Sequence, residues 1–519
     1  MEIGIGEIFS NKKNVFTLPL VMKRIIFFAA FQFLHFCLLG QFFDLREQWI
    51  IDSTERSAFK RNDTLSHTVL PKAFGADQRI DRFENGKSSN GFIRATSDIC
   101  MAGGLFKNGD VNAGGVGFGQ LQMEGAYKNH WYIQLGGMFL GGQLPNYVQT
   151  AIDTLSVLPG WGKVISASDA SVKAFNWTGN LAYSPNRHFS FEMGHNKIMV
   201  GEGYRSLIVS RNAAPYFFAR STIKAGNFRL YSIWSQLQDI QNGWGDIRKK
   251  YTAVHGLHWK ITPKFQLSVH EMVIWQRNDS TSVRNFDMHY LNPLLFWRPV
   301  EYAQGSADNV LLAMSGHYIH RQKVKFYFQF LLDEWLLSSV RARNGWWGLK
   351  YGGQFGVKYL DIIPGLNGLS EINAVRPFTY SHASSMQAWG SMNQPIAHPS
   401  GSNFAEWVNM LQYTQGNWKV NYQINYNIFG RNKGDKNYGG DIFMTYMNPV
   451  SQFGNTLYQG EKHFLMFQQF SVSRVMGVWG EIFTQFSWRN DKTMEKTNSD
   501  QWIMLGLRTK GFQFQPWDY

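Results

Sequence analysis

The clearest pattern in the chain is a strict alternation of apolar and polar residues over residues 418–428. The apolar positions are Trp418, Val420, Tyr422, Ile424, Tyr426 and Ile428, and the polar positions are Lys419, Asn421, Gln423, Asn425 and Asn427. Because successive side chains of a strand point to opposite faces, the segment predicts a strand with one apolar face. Its length fits a membrane-spanning strand, which needs about 9–11 tilted residues. A surface strand of a soluble β-sandwich alternates in the same way, so this segment alone does not decide between the two.

Other segments repeat the pattern in pairs. Residues 175–183 and 189–193 alternate on either side of a Ser-Pro-Asn-Arg turn, and residues 257–261 and 265–269 flank a Thr-Pro-Lys turn. Such pairs predict hairpins with short turns. Another strand is predicted over residues 324–333, with Val324, Phe326, Phe328 and Phe330 on one face and Lys325, Tyr327, Gln329 and Asp333 on the other. Residues 502–510 predict a closing strand.

The connections between these segments differ in length. Short turns alternate with long connections, including roughly 142–172, 276–308 and 382–416. Outer-membrane barrels have short periplasmic turns and long outer loops, and at about 24 residues per strand and connection we expect an even count of about 16–18 strands. A propeller would show blade-length repeats, which the sequence lacks. The predicted fold class is therefore all-β, a transmembrane antiparallel β-barrel over residues 96–519.

The first 95 residues differ from the rest. A basic Met-Lys-Arg tripeptide precedes a mostly apolar run, so residues 22–40 predict a secretory signal peptide. Residues 1–21 are then a leader or a mis-assigned start. Residues 41–95 are polar and irregular, with one weak amphipathic helix pattern between Phe42 and Phe59. They predict an N-terminal periplasmic or plug segment, with a flexible tail as the alternative.

Composition agrees with a barrel. The mean hydropathy is negative (−0.29), aromatic residues make up 16%, and the chain has 50 glycines. After residue 40 no apolar run reaches the roughly 18 residues of a membrane helix, as expected where only alternate residues meet lipid. Removal of residues 1–40 leaves Cys100 as the one cysteine. An intramolecular disulfide and a cysteine-based metal cluster are then excluded.

The chain is strongly basic. Its formal net charge is +14, which falls to +12 once the basic and acidic residues of the first 40 positions are removed. A basic exported protein predicts anionic partners, here outer-membrane lipid with its lipopolysaccharide phosphates and acidic polysaccharide, and no nucleic acid. The alternative is that much of this charge lies on solvated loops. The predicted localisation is the outer membrane of a Gram-negative cell.

No motif for catalysis is present. The chain lacks a nucleophile elbow, a phosphate-binding glycine loop and a zinc-binding His-Glu-x-x-His helix. The pairs His255/His258 and His317/His320 are three residues apart, which places the partners on opposite faces of a strand and argues against a shared metal. We therefore predict no enzyme activity, no cofactor and no metal.

Three polar clusters interrupt the apolar strands, over residues 194–211, 292–309 and 371–382. The predicted polysaccharide-binding residues are Arg205, Arg211, Arg298 and Arg376 for carboxylates, Trp297 and Tyr380 for sugar stacking, and the neighbouring Glu202 and Glu301. The alternative is an internal Arg–Glu network that braces a wide lumen, which is the commoner role for any single one of these residues.

Several segments in these clusters resemble a known family. They are Gly201-Glu-Gly-Tyr-Arg-Ser-Leu207, Leu291-Asn-Pro to Arg298-Pro-Val-Glu301, Ser306-Ala-Asp-Asn309, Leu332-Asp-Glu334, Arg376-Pro-Phe-Thr-Tyr-Ser-His382 and Ala397-His-Pro-Ser-Gly-Ser-Asn403. In this order they resemble Bacteroidota outer-membrane proteins of the capsule-assembly Wzi family and their gliding-motility RemB-like relatives. The resemblance implies an outer-membrane barrel with a periplasmic helical part, a role in surface polysaccharide attachment or gliding, and no catalysis. The single weak helix pattern of residues 41–95 departs from that helical part.

The sequence thus predicts an outer-membrane barrel for cell-surface organisation that binds or attaches acidic surface polysaccharide. An anion-selective pore is the first alternative, because a basic lumen selects anionic solutes. The second is a structural subunit of a secretion or gliding complex, in which the partner is that machinery.

Overall fold

The computed structural model describes residues 72–73, 92–108, 110–128, 130–168, 171–277, 286–292, 308–334, 336–477, 480–509 and 517–519. The predicted leader, the signal peptide and nearly all of the 41–95 segment lie outside these residues.

The described strands, numbered along the chain, have the following bounds. They are β1 (Lys72–Ala73), β2 (Phe92–Asn108), β3 (Asp110–Tyr127), β4 (Trp131–Gly142), β5 (Val164–Ser168), β6 (Ser171–Tyr183), β7 (Phe189–Asn196), β8 (Ile198–Met199), β9 (Tyr216–Ala225), β10 (Phe228–Asp239), β11 (Arg248–Lys260), β12 (Phe265–Gln276), β13 (Asn309–His320), β14 (Val324–Glu334), β15 (Lys350–Leu360), β16 (Leu366–Val375), β17 (Gly390–Ser391), β18 (Gln394–Pro395), β19 (Phe404–Gln415), β20 (Trp418–Arg431), β21 (Glu461–Val475), β22 (Glu481–Lys492) and β23 (Thr497–Arg508). The α-helices are α1 (Asn146–Leu155) and α2 (Leu337–Ala342), and single 3₁₀ turns span Met288–Leu291 and Ser385–Gln387. None of the described helices is long and apolar enough to cross a membrane.

In the described part of the chain, eighteen antiparallel strands form a closed barrel. The barrel strands are β2–β4, β6, β7, β9–β16 and β19–β23, and each pairs with the next barrel strand along the chain. Strand β23 closes the barrel against β2, with Cys100 opposite Arg508. The short strand β5 pairs only with the first residues of β6. The predicted all-β barrel with an even strand count is confirmed. Its first strand begins at Phe92, a few residues before the predicted boundary at residue 96.

Side chains alternate between the two sides of the wall as the sequence pattern predicts. In β20, Trp418 and Tyr426 are exposed on the outside, while Asn421, Gln423 and Asn425 are buried inside. A closed barrel leaves no unpaired strand edge, and its exposed apolar exterior suits hydrocarbon. The protein is an outer-membrane β-barrel.

The two ends of the barrel differ. Connections of two or three residues, such as 128–130, 226–227 and 416–417, lie at one end, together with the start of β2 and the end of β23. Long connections, including 197–215 and 376–403, lie at the other end. By the usual arrangement of such barrels, we assign the short-turn end to the periplasm and the long-loop end to the cell exterior.

Two long connections fold into the lumen. The inner loop (residues 197–215) and the cap loop (residues 376–403) form a buried hydrophobic core with the barrel wall. Leu207 and Ile208 of the inner loop pack in this core with Trp389 of the cap loop, and all three are inaccessible to solvent. Strand β1 pairs with β8 of the inner loop, so the described part of the N-terminal segment also joins this assembly.

Tyrosines lie over glycines at three places in the wall. Each tyrosine is paired in register with a glycine of the next strand: Tyr231 with Gly256, Tyr327 with Gly356, and Tyr359 with Gly368. A Cβ atom built on Gly356 would lie 2.1 Å from Cζ of Tyr327. The tyrosine ring therefore occupies the space that a side chain would need, an arrangement that fixes strand register.

Replacement of Gly356 by alanine is expected to lower the free energy of unfolding by about 1–3 kcal/mol, the usual cost of overpacking. The Tyr327 ring cannot move freely, because its hydroxyl donates a 2.7 Å hydrogen bond to Glu371. Gly353 of the same strand is the matched control, since a Cβ there meets nothing within 4 Å. Urea unfolding of the barrel in detergent measures both variants, and equal shifts for the two would contradict the role of the tyrosine.

Candidate functional site

Arg205 lies inside the barrel, in the middle of the inner loop, and is 2% exposed. Its Nε and Nη2 atoms donate to the two carboxylate oxygens of Glu406 at 3.1 and 2.9 Å, and Nη2 also donates to Asp518 at 2.9 Å. Burial alone lowers the pKa of Arg205, but the adjacent Asp518 and Glu406 carboxylates raise it well above its ordinary value. The guanidinium therefore stays charged and holds β19, the inner loop and residues 517–519 together.

Glu371 of β16 fixes the backbone of the same loop. It accepts hydrogen bonds from the backbone N–H groups of Tyr204 at 2.8 Å and Arg205 at 3.0 Å. The Asn373 side chain and the Tyr327 hydroxyl donate to it as well. Four protein donors thus bind this carboxylate, so Glu371 acts as an internal anchor.

Residues 517–519 also lie inside the barrel. Asp518 accepts a 2.8 Å hydrogen bond from the Tyr204 hydroxyl and a 2.7 Å bond from the Asn425 side chain of β20. The Trp517 indole donates to the carbonyl of Pro159, in the connection that follows α1. This short segment therefore links the wall, the inner loop and an outer connection.

Glu202 belongs to a second buried network. Its carboxylate binds the Lys325 ammonium of β14 and lies 3.0 Å from Nδ1 of His317 on β13. All three side chains are almost completely buried. The Glu202 carboxylate thus compensates the positive charge of Lys325 inside the barrel.

The structure places three of the predicted polysaccharide contacts inside the barrel. Tyr380 is fully buried, and its hydroxyl donates to the carbonyl of Leu207 at 2.7 Å. It has no free ring face for a sugar. Arg205 binds the carboxylates of Glu406 and Asp518. The bracing network considered as the alternative is what the structure contains at Arg205, Glu202 and Tyr380.

The other candidates are scattered. Arg211 is half-buried in the inner loop, and its carbonyl accepts a 3.3 Å hydrogen bond from Lys197. Burial, with a smaller effect of the Arg211 charge, lowers the pKa of Lys197 to about 7. Arg376 lies at the start of the cap loop, where its guanidinium contacts the outward-facing ring of Tyr351. The remaining candidates, Trp297, Arg298 and Glu301, lie outside the described residues.

The histidine pairs occupy opposite faces, as the spacing predicts. His258 bonds Ser268 inside the barrel, whereas His255 lies beside the outward-facing Trp234. His317 is buried inside and His320 is exposed. Across the described ranges, no three His, Cys, Asp or Glu side chains are grouped so that they could hold a metal ion.

The structure also reveals an aromatic group that the sequence analysis did not identify. We call Trp346, Trp347 and Tyr446 the rim cluster, because they lie in two long connections at the long-loop end. The ring centroid of Trp347 lies 5.8 Å from that of Trp346 and 5.0 Å from that of Tyr446. All three are half-buried. In the sequence, the signal for this cluster is the Gly-Trp-Trp-Gly run at residues 345–348. Tyr446 is about 100 residues away, so the sequence does not connect it with the tryptophans.

Exposed basic side chains occur in the two connections that carry the rim cluster. Arg341 and Arg343 are exposed next to the tryptophans, and Lys433 and Lys436 are exposed in the connection that carries Tyr446. Lys433 is 3.7 Å from Glu495, with both side chains in solvent. Such an exposed pair contributes little, so the lysine charge remains available to a ligand.

Comparison of the sequence with protein-family models gives no match, and comparison with curated proteins gives none either. Among solved structures, Wzi, an outer-membrane protein involved in group 1 capsule assembly in Escherichia coli and described as a carbohydrate-binding β-barrel, is 11% identical with a TM-score of 0.49, covering 80% of this chain and 85% of Wzi. Pseudomonas aeruginosa OprD is 9% identical with a TM-score of 0.40, covering 86% and 98%. OpdK of the same organism, solved with vanillate, is 7% identical with a TM-score of 0.43, covering 80% and 98%. These values describe a similar barrel fold and carry no argument about function.

Proposed function

We propose that this barrel binds acidic polysaccharide at its long-loop end and thereby serves cell-surface organisation, in capsule attachment or gliding. The observation that carries the proposal is the filling of the lumen by the inner loop, which leaves the rim as the surface where a polymer can bind. The resemblance of the sequence segments to capsule-assembly and gliding proteins is consistent with this role.

The packing of the inner loop favours a binding protein over an open pore. Val200, Leu207 and Ile208 have no solvent-exposed surface, and the Arg205 network lies directly beside them. A conducting pore needs a continuous hydrated path with polar groups available to the passing ion. In the described residues the central carboxylates and the central guanidinium are instead bound to one another.

The rim has the chemistry that an acidic glycan requires. Aromatic rings present an apolar face with a polar edge, as sugar rings do, and Trp347 is held in place by a 2.8 Å hydrogen bond from its indole N–H to Gln452. Lys433 and Lys436 supply charge for carboxylates without competing internal partners of comparable strength. The proposed contacts are therefore the rim cluster for stacking and these two lysines for charge.

Binding of polygalacturonate, a polymer of acidic sugars, to the purified protein in detergent tests the proposal. The double variant K433E/K436E is expected to weaken binding by about tenfold, because each exposed charge contact contributes up to about 1 kcal/mol. A second double variant, W347A/Y446A, is expected to weaken it as well. The same charge change at the periplasmic turns, K264E/K323E, is the matched control and should leave binding unchanged.

Two results would contradict the proposal. Equal loss in the rim and periplasmic-turn variants would show that the polymer responds only to net charge. Equal binding of neutral dextran would show that the site does not select acidic sugars. A boiling-dependent shift on gels reports whether each variant retains its folded barrel.

A further inference from the structure

The two long connections that carry the rim cluster bind each other at the outer end of β14 and β15. We call residues 336–349 and 444–456 the overhang. Its two parts are joined by backbone hydrogen bonds, from Gly454 N–H to the Asn344 carbonyl and from Asn455 N–H to the Gly345 carbonyl, both 2.8 Å. Helix α2 lies within it. The overhang is thus a built element at the long-loop end of β14 and β15.

The overhang exposes apolar side chains. Its exposed large hydrophobic residues are Leu336, Leu337, Val340, Met447, Val450 and Phe453. Such a concentration is unusual on a surface bathed by water and indicates contact with a membrane or a partner. Because the overhang continues the lipid-facing wall at its outer end, the boundary of the outer leaflet is the surface it meets.

A cavity of about 570 Å³ lies beneath the overhang. Its wall includes Phe330 and Leu332 of β14 and Tyr351 of β15, all of which face outward, and its upper part includes Val340 of α2. This apolar surface is open toward lipid, since Phe330 and Tyr351 remain exposed. A hydrocarbon chain therefore fits the lower part of the cavity.

Two arginines complete the cavity, and no acidic side chain is among the described residues that line it. Arg376 donates to the carbonyls of Leu349 at 2.8 Å and Asn455 at 3.2 Å, which orient its guanidinium without neutralising it. Arg343 is exposed at the C-terminal end of α2. The described structure contains no ion pair for either arginine, so the cavity carries uncompensated positive charge above an apolar wall.

We propose that this cavity binds a phosphorylated glycolipid of the outer leaflet, with its phosphate between Arg343 and Arg376 and an acyl chain along Phe330 and Tyr351. Arginine forks match phosphate geometry and retain their charge in a poorly hydrated site. A soluble anion would use the arginines but leave the apolar wall without a partner. The site lies on the outer wall and goes beyond the glycan-binding role proposed for the rim.

Native mass spectrometry of the purified full-length protein with diphosphoryl lipid A tests the site. We expect the wild-type protein to retain one bound lipid in the mass spectrometer. The double variant R343Q/R376Q is expected to weaken lipid binding by about 25-fold, which is about fivefold for each arginine near a lipid surface. The matched control is R341Q, which removes an exposed arginine of α2 that does not line the cavity. R343Q alone should cause about a fivefold loss. The Arg343 side chain is exposed and forms no hydrogen bond or ion pair with the described residues.

Three comparisons of lipid binding would overturn the proposal. These are equal lipid binding by R343Q and the wild type, equal loss in R341Q and R343Q, and retention of fully dephosphorylated lipid A as strong as that of the diphosphoryl form. Competition by millimolar inorganic phosphate would likewise assign the site to a free anion. Polygalacturonate binding by R343Q is measured in parallel, so failure of the lipid site is distinguishable from failure of the rim proposal.

Discussion

Replacement of Arg205 by alanine is expected to lower the free energy of unfolding by about 3–5 kcal/mol, the usual cost of removing one partner from a buried ion pair. The substitution leaves the Glu406 and Asp518 carboxylates without the guanidinium that now binds both at 2.9 Å. Water cannot readily replace it, because the three side chains are buried inside the barrel. Urea unfolding of the barrel in detergent, followed by tryptophan fluorescence and by the boiling-dependent gel shift, measures the loss.

Two further variants give this prediction its controls. R205K keeps a positive charge but not the fork that contacts both carboxylates, so we expect an intermediate loss. K264A removes an exposed charge at a periplasmic turn and should leave the unfolding midpoint unchanged. If R205A shifted the midpoint no more than K264A, Arg205 would not brace the lumen, and its role as a ligand contact would have to be considered again.

Shortening the inner loop is expected to convert a barrel without steady conductance into an ion-conducting one. Val200 and Val209 already form an isolated antiparallel bridge, so residues 201–208 can be replaced by an Asn-Gly turn without moving the flanking backbone. The change removes Arg205, Leu207 and Ile208 from the lumen. Single-channel recording in planar bilayers should show no steady current for the wild type and long open currents for the shortened protein.

The sign of the selectivity is a stricter test. The replaced segment contains Glu202 as well as Arg205, so the carboxylates of Glu371, Glu406 and Asp518 remain in the lumen together with the Lys325 ammonium that Glu202 compensated. These carboxylates outnumber that lysine. In the closed protein, burial lowers the pKa of His398, the other neighbour of Glu406. The opened lumen should therefore prefer cations. Steady current through the wild-type protein would contradict the closed lumen and would favour the hypothesis that the protein is an anion-selective pore.

Sequence pattern was sufficient for the wall. The parity of residues 418–428 predicted which side chains of β20 face lipid, and the same rule placed Phe330 outside and Gln329 inside β14. It succeeds because the strand period is two and each face meets one environment. The short turns that end these strands are also predictable from local sequence, because proline, asparagine and glycine determine the backbone conformation of only a few residues.

Local pattern was not sufficient for the site. Arg205 and Arg376 occur in similar polar segments, yet one is buried inside the barrel and the other contacts Tyr351 on the outer wall. Tyr380 is in a segment rich in polar residues but is fully buried under Leu207. Such placements depend on how long connections fold back, which involves contacts between residues more than 150 positions apart in sequence.

The sequence by itself determined the barrel, the lipid-facing positions and the alternation of short and long connections, because each follows from a period of two or from turn chemistry close along the chain. Only the tertiary structure decided that the inner loop and residues 517–519 fill the lumen and that the overhang encloses a cavity on the wall. The Arg205–Glu406 and Arg205–Asp518 pairs form across 201 and 313 positions. A buried charge pairs with the group that the closed fold brings within hydrogen-bonding distance, and a local sequence pattern does not predict which distant residue that group belongs to.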